Sequence, residues 1–193
     1  IKEYFLNYDV YSKDIQINTK SKSIKFFNND NVDWNISLID TGNNSMTGGR
    51  LKNLKNFVGD KTFFLSYGDS IGDIDLKKLY NFHKSHGKLV TVTAVRPQAR
   101  FGELEISNNK VREFKEKPQV KTGWINGGYF LIEPKFLEYI ENENTILEKE
   151  PLENVAKEGQ LMAYKHEGSW HCMDTVRDKE NLELLLKSKN NIF

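Results

Sequence analysis

The chain has 193 residues, 38% of them hydrophobic and 28% charged, with a net charge of +1 and a mean hydropathy of −0.63. That length and balance predict one large soluble domain and exclude a long-range field able to hold nucleic acid or an anionic membrane surface. The lone cysteine, Cys172, excludes an internal disulfide, and with no signal-peptide pattern or bilayer-length apolar run a reducing cytoplasm is the expected compartment.

In chain order, "IKEYFLNY" reads as the last turns of an amphipathic helix, with no initiator Met before it. "SIKFF" (23–27) and "WNISLID" (34–40) read as strands. "GGRLKNLKNFV" (48–58) spaces Leu51, Leu54 and Phe57/Val58 at helical intervals, and "TFFLSY" is a short apolar run that predicts a buried strand. "DIDLKKLYNFHKSHG" predicts a helix with Leu76, Leu79, Phe82/His83 and His86 on one face and Gly87 as its stop. "KLVTVTAV" (88–95) is a β-branched strand. This alternation predicts an α/β sheet covered by helices.

Further on, "FGELEISNNKVREFKEKP" has two strand-like arms around Asn108-Asn109, a turn pair tolerant of left-handed backbone. Val111 and Phe114 break the period of two in the second arm, which predicts a bulge there. "WINGGYFLI" (124–132) is another strand, and "PKFLEYI" and "EPLENVAKEG" each begin a helix. "LMAYKHEGSWHCMD" reads as strand and turn, leading into a helix from Thr175 whose capping box is completed by Asp178. The tail "KSKNNIF" reads as a fraying helix end.

Five places carry candidate chemistry. Asp69 follows "FFLSYG" where the chain leaves a predicted strand, the edge at which open α/β sheets bind ligands, and Gly68 lets the backbone come close; a plain turn is the competing reading. Asp174 also stands between a strand and a helix, as a second metal ligand or as a helix cap. Two such carboxylates, 105 residues apart, would suit Mg²⁺ completed by water and phosphate oxygens. Glu116 and Lys117 in "REFKEKP" offer an acceptor for sugar hydroxyls and a cation for phosphate, or only solvated surface. Asn126 precedes Gly127 and Gly128 in a strand, which marks a bulge or the close approach of a ligand. The loop "DTGNNSMTGGR" (40–50) has the composition of a cradle for phosphate or a base edge, with Arg50 in reach, or of a flexible loop.

Taken together, "LIDTGNNSMTGGRLK", "YGDSIGDIDL", "RFGELEI", "EFKEKP", "WINGGYFLIEP" and "MDTVRDKENLE" resemble the glucose-1-phosphate cytidylyltransferases of the sugar-nucleotidyltransferase superfamily, over essentially the whole chain. The resemblance implies a Rossmann-like mixed sheet flanked by helices, with a sugar-side hairpin region, and a domain over 1–193 whose nucleotide side is 1–100 and sugar side 101–193. It implies transfer from CTP to α-D-glucose 1-phosphate with Mg²⁺. Asp69 and Asp174 would hold the metal, Lys117 the sugar phosphate, and Glu116 and Asn126 the glucose hydroxyls. Thr47, Gly49, Arg50 and Gly68 would lie on the nucleotide side and Gly102 near the sugar. A homo-oligomer is implied for the intact protein, with no protein nucleophile.

The family begins with a strand and a glycine-rich loop ending Gly-Thr-Arg, then a Lys. Nothing here matches them, so the expectation is an N-terminally incomplete domain, inactive by itself. The alternatives are a noncatalytic sugar-nucleotide-binding or assembly subunit of the same fold, or an enzyme using another nucleoside triphosphate or hexose 1-phosphate. A metal-dependent glycosyltransferase is more distant, since it gives no account of "DTGNNSMTGGR".

Overall fold

The computed structural model describes residues 1–27, 32–97, 103–115 and 123–188, in two compact units, Ile1–Asp40 and Thr41–Phe193. The first unit holds two short helices, α1 (Lys2–Leu6) and α2 (Tyr8–Ser12), and a hairpin of β1 (Asp14–Asn18) and β2 (Ser23–Phe27). β1 was not foreseen, because "DIQIN" is short and mostly polar. The stretch 34–40, expected as a strand, forms none. None of the described residues of this unit is buried.

The second unit carries the core. The predicted helix over 48–58 is two pieces, α3 (Thr47–Asn53) and α4 (Lys55–Val58), broken at Leu54. β3 (Phe63–Ser66) follows, then the short β4 (Ser70–Gly72), and α5 (Leu76–His86), which is capped by Asp75 accepting from Lys78 N–H and ended by Gly87 at φ +63°. Next come β5 (Val90–Val95) and the hairpin of β6 (Glu103–Ser107) and β7 (Lys110–Lys115). Asn108 and Asn109 take positive φ at its turn, and the register shift opposite Glu105/Ile106 leaves Arg112 as an extra residue in the second arm, as its broken period predicts.

β8 (Ile125–Ile132) is followed by a helix over Pro134–Tyr139, as expected from "PKFLEYI", of the 3-10 type. The chain then forms α6 (Glu150–Lys157), β9 (Leu161–Lys165), β10 (Trp170–Cys172) and α7 (Val176–Ser188). Thr175 and Asp178 make the reciprocal capping box at the start of α7.

A mixed sheet in the order β3-β8-β5-β9 organises this unit, antiparallel except for the parallel β5–β9 pair. β8 is central and apolar on both faces. Phe130 and Ile132 join a cluster with Leu51, Val90, Phe136, Ile140 and Val155, while Leu131 packs with Ile74 and Leu79 on the opposite side. Burying both faces makes this strand the axis of the core, and its start, at Asn126, is delivered to the site.

Candidate active site

The β4–β10 pair brings the two aspartates together. Cys172 lies opposite Ser70, and Met173 N–H donates to the Asp69 carbonyl at 2.7 Å, so the ladder runs one residue further and sets Asp69 beside Asp174. Oxygens of Asp69 and Asp174 and the sulfur of Cys172 all lie within 4.8 Å of one another. His166 Nε2 donates to Asp73 Oδ1 at 2.9 Å and faces the Ser169 carbonyl at 3.3 Å, joining the segments that follow β4 and precede β10. Trp170 Nε1 donates to the Gly127 carbonyl at 2.8 Å, which ties β10 to β8.

Hard carboxylate oxygens fit a hard divalent cation. The Cys172 sulfur donates to Asp174 Oδ1 at 3.2 Å, and burial, that hydrogen bond and the nearby carboxylates push the thiol up to about 11.

Asn126 sits close by. Its Oδ1 accepts from Gly128 N–H at 2.8 Å and its Nδ2 donates to the Tyr67 hydroxyl at 3.3 Å. The two glycines after it have an internal reason: β8 shifts register against β5 here, Gly128 has φ +78°, and a Cβ on Gly127 would come 2.7 Å from Val95.

The loop expected to cradle phosphate is turned inward. Met46 N–H donates to the Glu143 carbonyl, and Gly48 and Gly49 N–H to the Thr145 carbonyl, at 2.9, 3.0 and 3.2 Å, so these amides are already engaged. Gly49 is buried, and a Cβ there would lie 2.1 Å from the Glu143 carbonyl oxygen. Arg50 folds onto its own loop, with Nη1 to Thr41 Oγ1 at 3.0 Å and Nη2 to the Asn43 carbonyl at 3.3 Å. Gly68 is different: it is exposed and an added Cβ would meet open space, so the fold itself does not require glycine there. Gly102, Glu116 and Lys117 lie outside the described residues.

Two residues were missed in the sequence, Tyr67 and Glu148. Thr47 Oγ1 donates to Glu148 Oε2 at 2.7 Å, and the Tyr67 hydroxyl donates to Glu148 Oε1. Burial first, then the Glu148 carboxylate, raise the Tyr67 phenol well above its ordinary value. Tyr67 had a signal of a kind, a hydroxyl-bearing ring closing an apolar run and so in need of a polar partner. Glu148 had none.

This fold and paired-carboxylate site define the class. The chain belongs to the nucleotidyl transferase family, whose model matches residues 11–177. Within the family it is 44% identical to the glucose-1-phosphate cytidylyltransferase of Salmonella typhi over 95% of this chain and 72% of that protein. The namesake from Salmonella typhimurium strain LT2 matches at the same identity and coverage. Among solved structures, apo UDP-glucose pyrophosphorylase superposes with a TM-score of 0.59 at 15% identity, covering 80% of this chain and 64% of that one, a likeness of fold. Among the described residues no helix is long and apolar enough to cross a membrane.

Proposed function

We propose that this chain carries a cytidylyltransferase site acting on CTP and α-D-glucose 1-phosphate. A phosphate oxygen of the sugar phosphate attacks the α-phosphorus of CTP, the bond from that phosphorus to the β-phosphate oxygen breaks, and CDP-glucose and pyrophosphate result. The convergence of Asp69 and Asp174 is the observation that carries this reading. Mg²⁺ held there would neutralise charge on the phosphate oxygens.

The chain's own work is alignment, which converts an encounter of two anions into an oriented displacement. Asp69 and Asp174 fix the reacting end of the site. Asn126 and Glu116 meet glucose hydroxyls, and Lys117 meets the sugar phosphate. Gly68 and Gly102 let backbone approach the ligands. Thr47, Gly49 and Arg50 serve the nucleotide side by fixing the 41–50 segment, Thr47 through Glu148, Gly49 through the Thr145 carbonyl and Arg50 through Thr41. The family's oligomeric habit and a cytoplasmic location belong to the same reading.

The test is pyrophosphate release with Mg²⁺ by the full chain as its gene encodes it, with CTP compared against UTP, dTTP and GTP, and glucose 1-phosphate against mannose and galactose 1-phosphates. Release fastest with CTP and glucose 1-phosphate is expected. Preference for another pair would overturn the substrate assignment, and tight CDP-glucose binding without turnover would favour the noncatalytic subunit. Lys117→Met keeps the aliphatic stem and removes the charge, so it should weaken use of glucose 1-phosphate by about 1.5–3 kcal/mol and spare CTP.

A further inference from the structure

We propose that Glu148 is a positioning residue, whose carboxylate holds the Tyr67 hydroxyl as an acceptor for Asn126 and so decides which way the Asn126 carboxamide faces the sugar. This rests on the assignment of Asn126 to the glucose hydroxyls.

The direction of every hydrogen bond follows from the carboxylate. An ionised carboxylate only accepts, so Thr47 and Tyr67, each with one hydroxyl proton, both direct it at Glu148. Thr47 then accepts Leu147 N–H at 2.9 Å. Tyr67 has only lone pairs left for its other neighbour, so Asn126 must turn its NH₂ toward it, at 3.3 Å. The Asn126 oxygen is thereby turned to Gly128 N–H, 2.8 Å away at the β8 bulge. One N–H and one lone pair of Asn126 remain, as a donor and an acceptor in fixed places. Without the acceptor at 148, the Tyr67 proton could turn to Asn126 and favour the reversed amide, which would set Nδ2 against Gly128 N–H. Glu148 precedes α6, and both bonds it makes reach more than 80 residues back along the chain.

The experiment measures the affinity of glucose 1-phosphate and of CTP by calorimetry, and the KM of each, in the full chain as its gene encodes it, with urea unfolding as the check on folding. Glu148→Ala is expected to weaken glucose 1-phosphate roughly three- to tenfold, the scale of one lost hydrogen bond, and to weaken CTP less, since the Thr47 hydroxyl loses the same acceptor; Tyr67→Phe, which leaves Thr47 its partner, should leave CTP within about twofold. Glu148→Gln keeps an oxygen able to accept from Tyr67 and should recover most of that loss. Tyr67→Phe should reproduce the loss, and Tyr67→Phe/Glu148→Ala should be no worse than Tyr67→Phe alone. Asn126→Ala separates this idea from the one beneath it. If Asn126→Ala leaves glucose 1-phosphate binding unchanged, the sugar assignment is wrong and the proposal falls with it. If Asn126→Ala weakens binding, then an unaffected Glu148→Ala, a Gln variant no better than Ala, effects that multiply in the double variant, or equal loss of both substrates each overturns the positioning role alone. Should Glu148→Ala fail to fold, Tyr67→Phe carries the test by the same split between substrates.

Discussion

Asp69 and Asp174 reach one another only because Met173 extends the β4–β10 ladder to the Asp69 carbonyl. If both serve one ion, removing either should abolish most of what the pair does. Asp69→Asn and Asp174→Asn are each expected to cut turnover sharply, with the double variant little worse than either single. Effects that multiply independently would show that the two do not share a metal. The glycines make a second residue-scale prediction. Gly49→Ala, whose Cβ would sit 2.1 Å from a backbone oxygen, should destabilise the fold by about 1–3 kcal/mol or more in urea unfolding. Gly68→Ala, facing open space, should keep stability within about 0.5 kcal/mol and still slow turnover, because the crowding falls on the ligand.

At the scale of elements, α5 is fastened to the sheet by a hydrogen-bond chain that needs neutral histidines. Lys88 N–H donates to His86 Nδ1 at 2.9 Å, His86 Nε2–H to Thr91 Oγ1 at 2.8 Å, Thr91 O–H to His83 Nδ1 at 2.8 Å, and His83 Nε2–H to Glu133 Oε1 at 3.2 Å. This tautomer pattern satisfies every contact in the chain. Burial lowers the pKa of both histidines, with His83 and Lys88 adding to the shift of His86. For Glu133 burial pushes upward, but hydrogen bonds from Lys84, Thr62 and His83 outweigh it and the net shift is down.

For a group whose folded pKa is depressed, the unfolded chain binds the proton first, so the stability it adds is present above the unfolded pKa and lost as pH falls. The histidine share should therefore disappear as pH drops below about 6.5, and the Glu133 share below the ordinary carboxylate range. Urea midpoints between about pH 7 and pH 5 should fall accordingly. His83→Gln should lower the midpoint at neutral pH and flatten the dependence; an unchanged slope would assign the effect elsewhere.

At the scale of the whole molecule, the two units differ in what holds them. Ile1–Asp40 has no buried residue among those described, whereas Thr41–Phe193 encloses Phe130, Leu131, Ile132 and Phe136 completely. Amides of the β1–β2 hairpin should therefore exchange with solvent at a small fraction of the free energy that protects β5 and β8. Exchange measured residue by residue checks this, and equal protection in the hairpin and the central sheet would contradict it.

Local chemistry carried far in this chain. The Asn108-Asn109 turn, the bulge marked by the broken period after it, Gly87 as a helix stop and the Thr175–Asp178 box were all legible, because each depends on residues within a few positions of one another. The run "WINGGYFLI" was legible as a strand, whereas "TFFLSY", expected to be buried, forms β3 at the end of the sheet order with Phe64 and Ser66 exposed. Asp69 and Asp174 could be named from their places at strand ends, and the quoted motifs pointed to the nucleotidyl transferases. Other features depended on more than local sequence. Residues 34–40 have a strand's spacing but form no strand, and the Met46, Gly48 and Gly49 amides donate to carbonyls at 143 and 145. Glu148 carries no local mark, since its role arises only when the fold brings the Thr47 and Tyr67 hydroxyls to its two oxygens. Propensity and turn chemistry act over a few residues and can be read along the chain; a carboxylate's partners are settled by long-range packing, so Asp69 and Asp174 could be picked out in sequence, while their meeting and the contacts of Glu148 were decided by the tertiary structure.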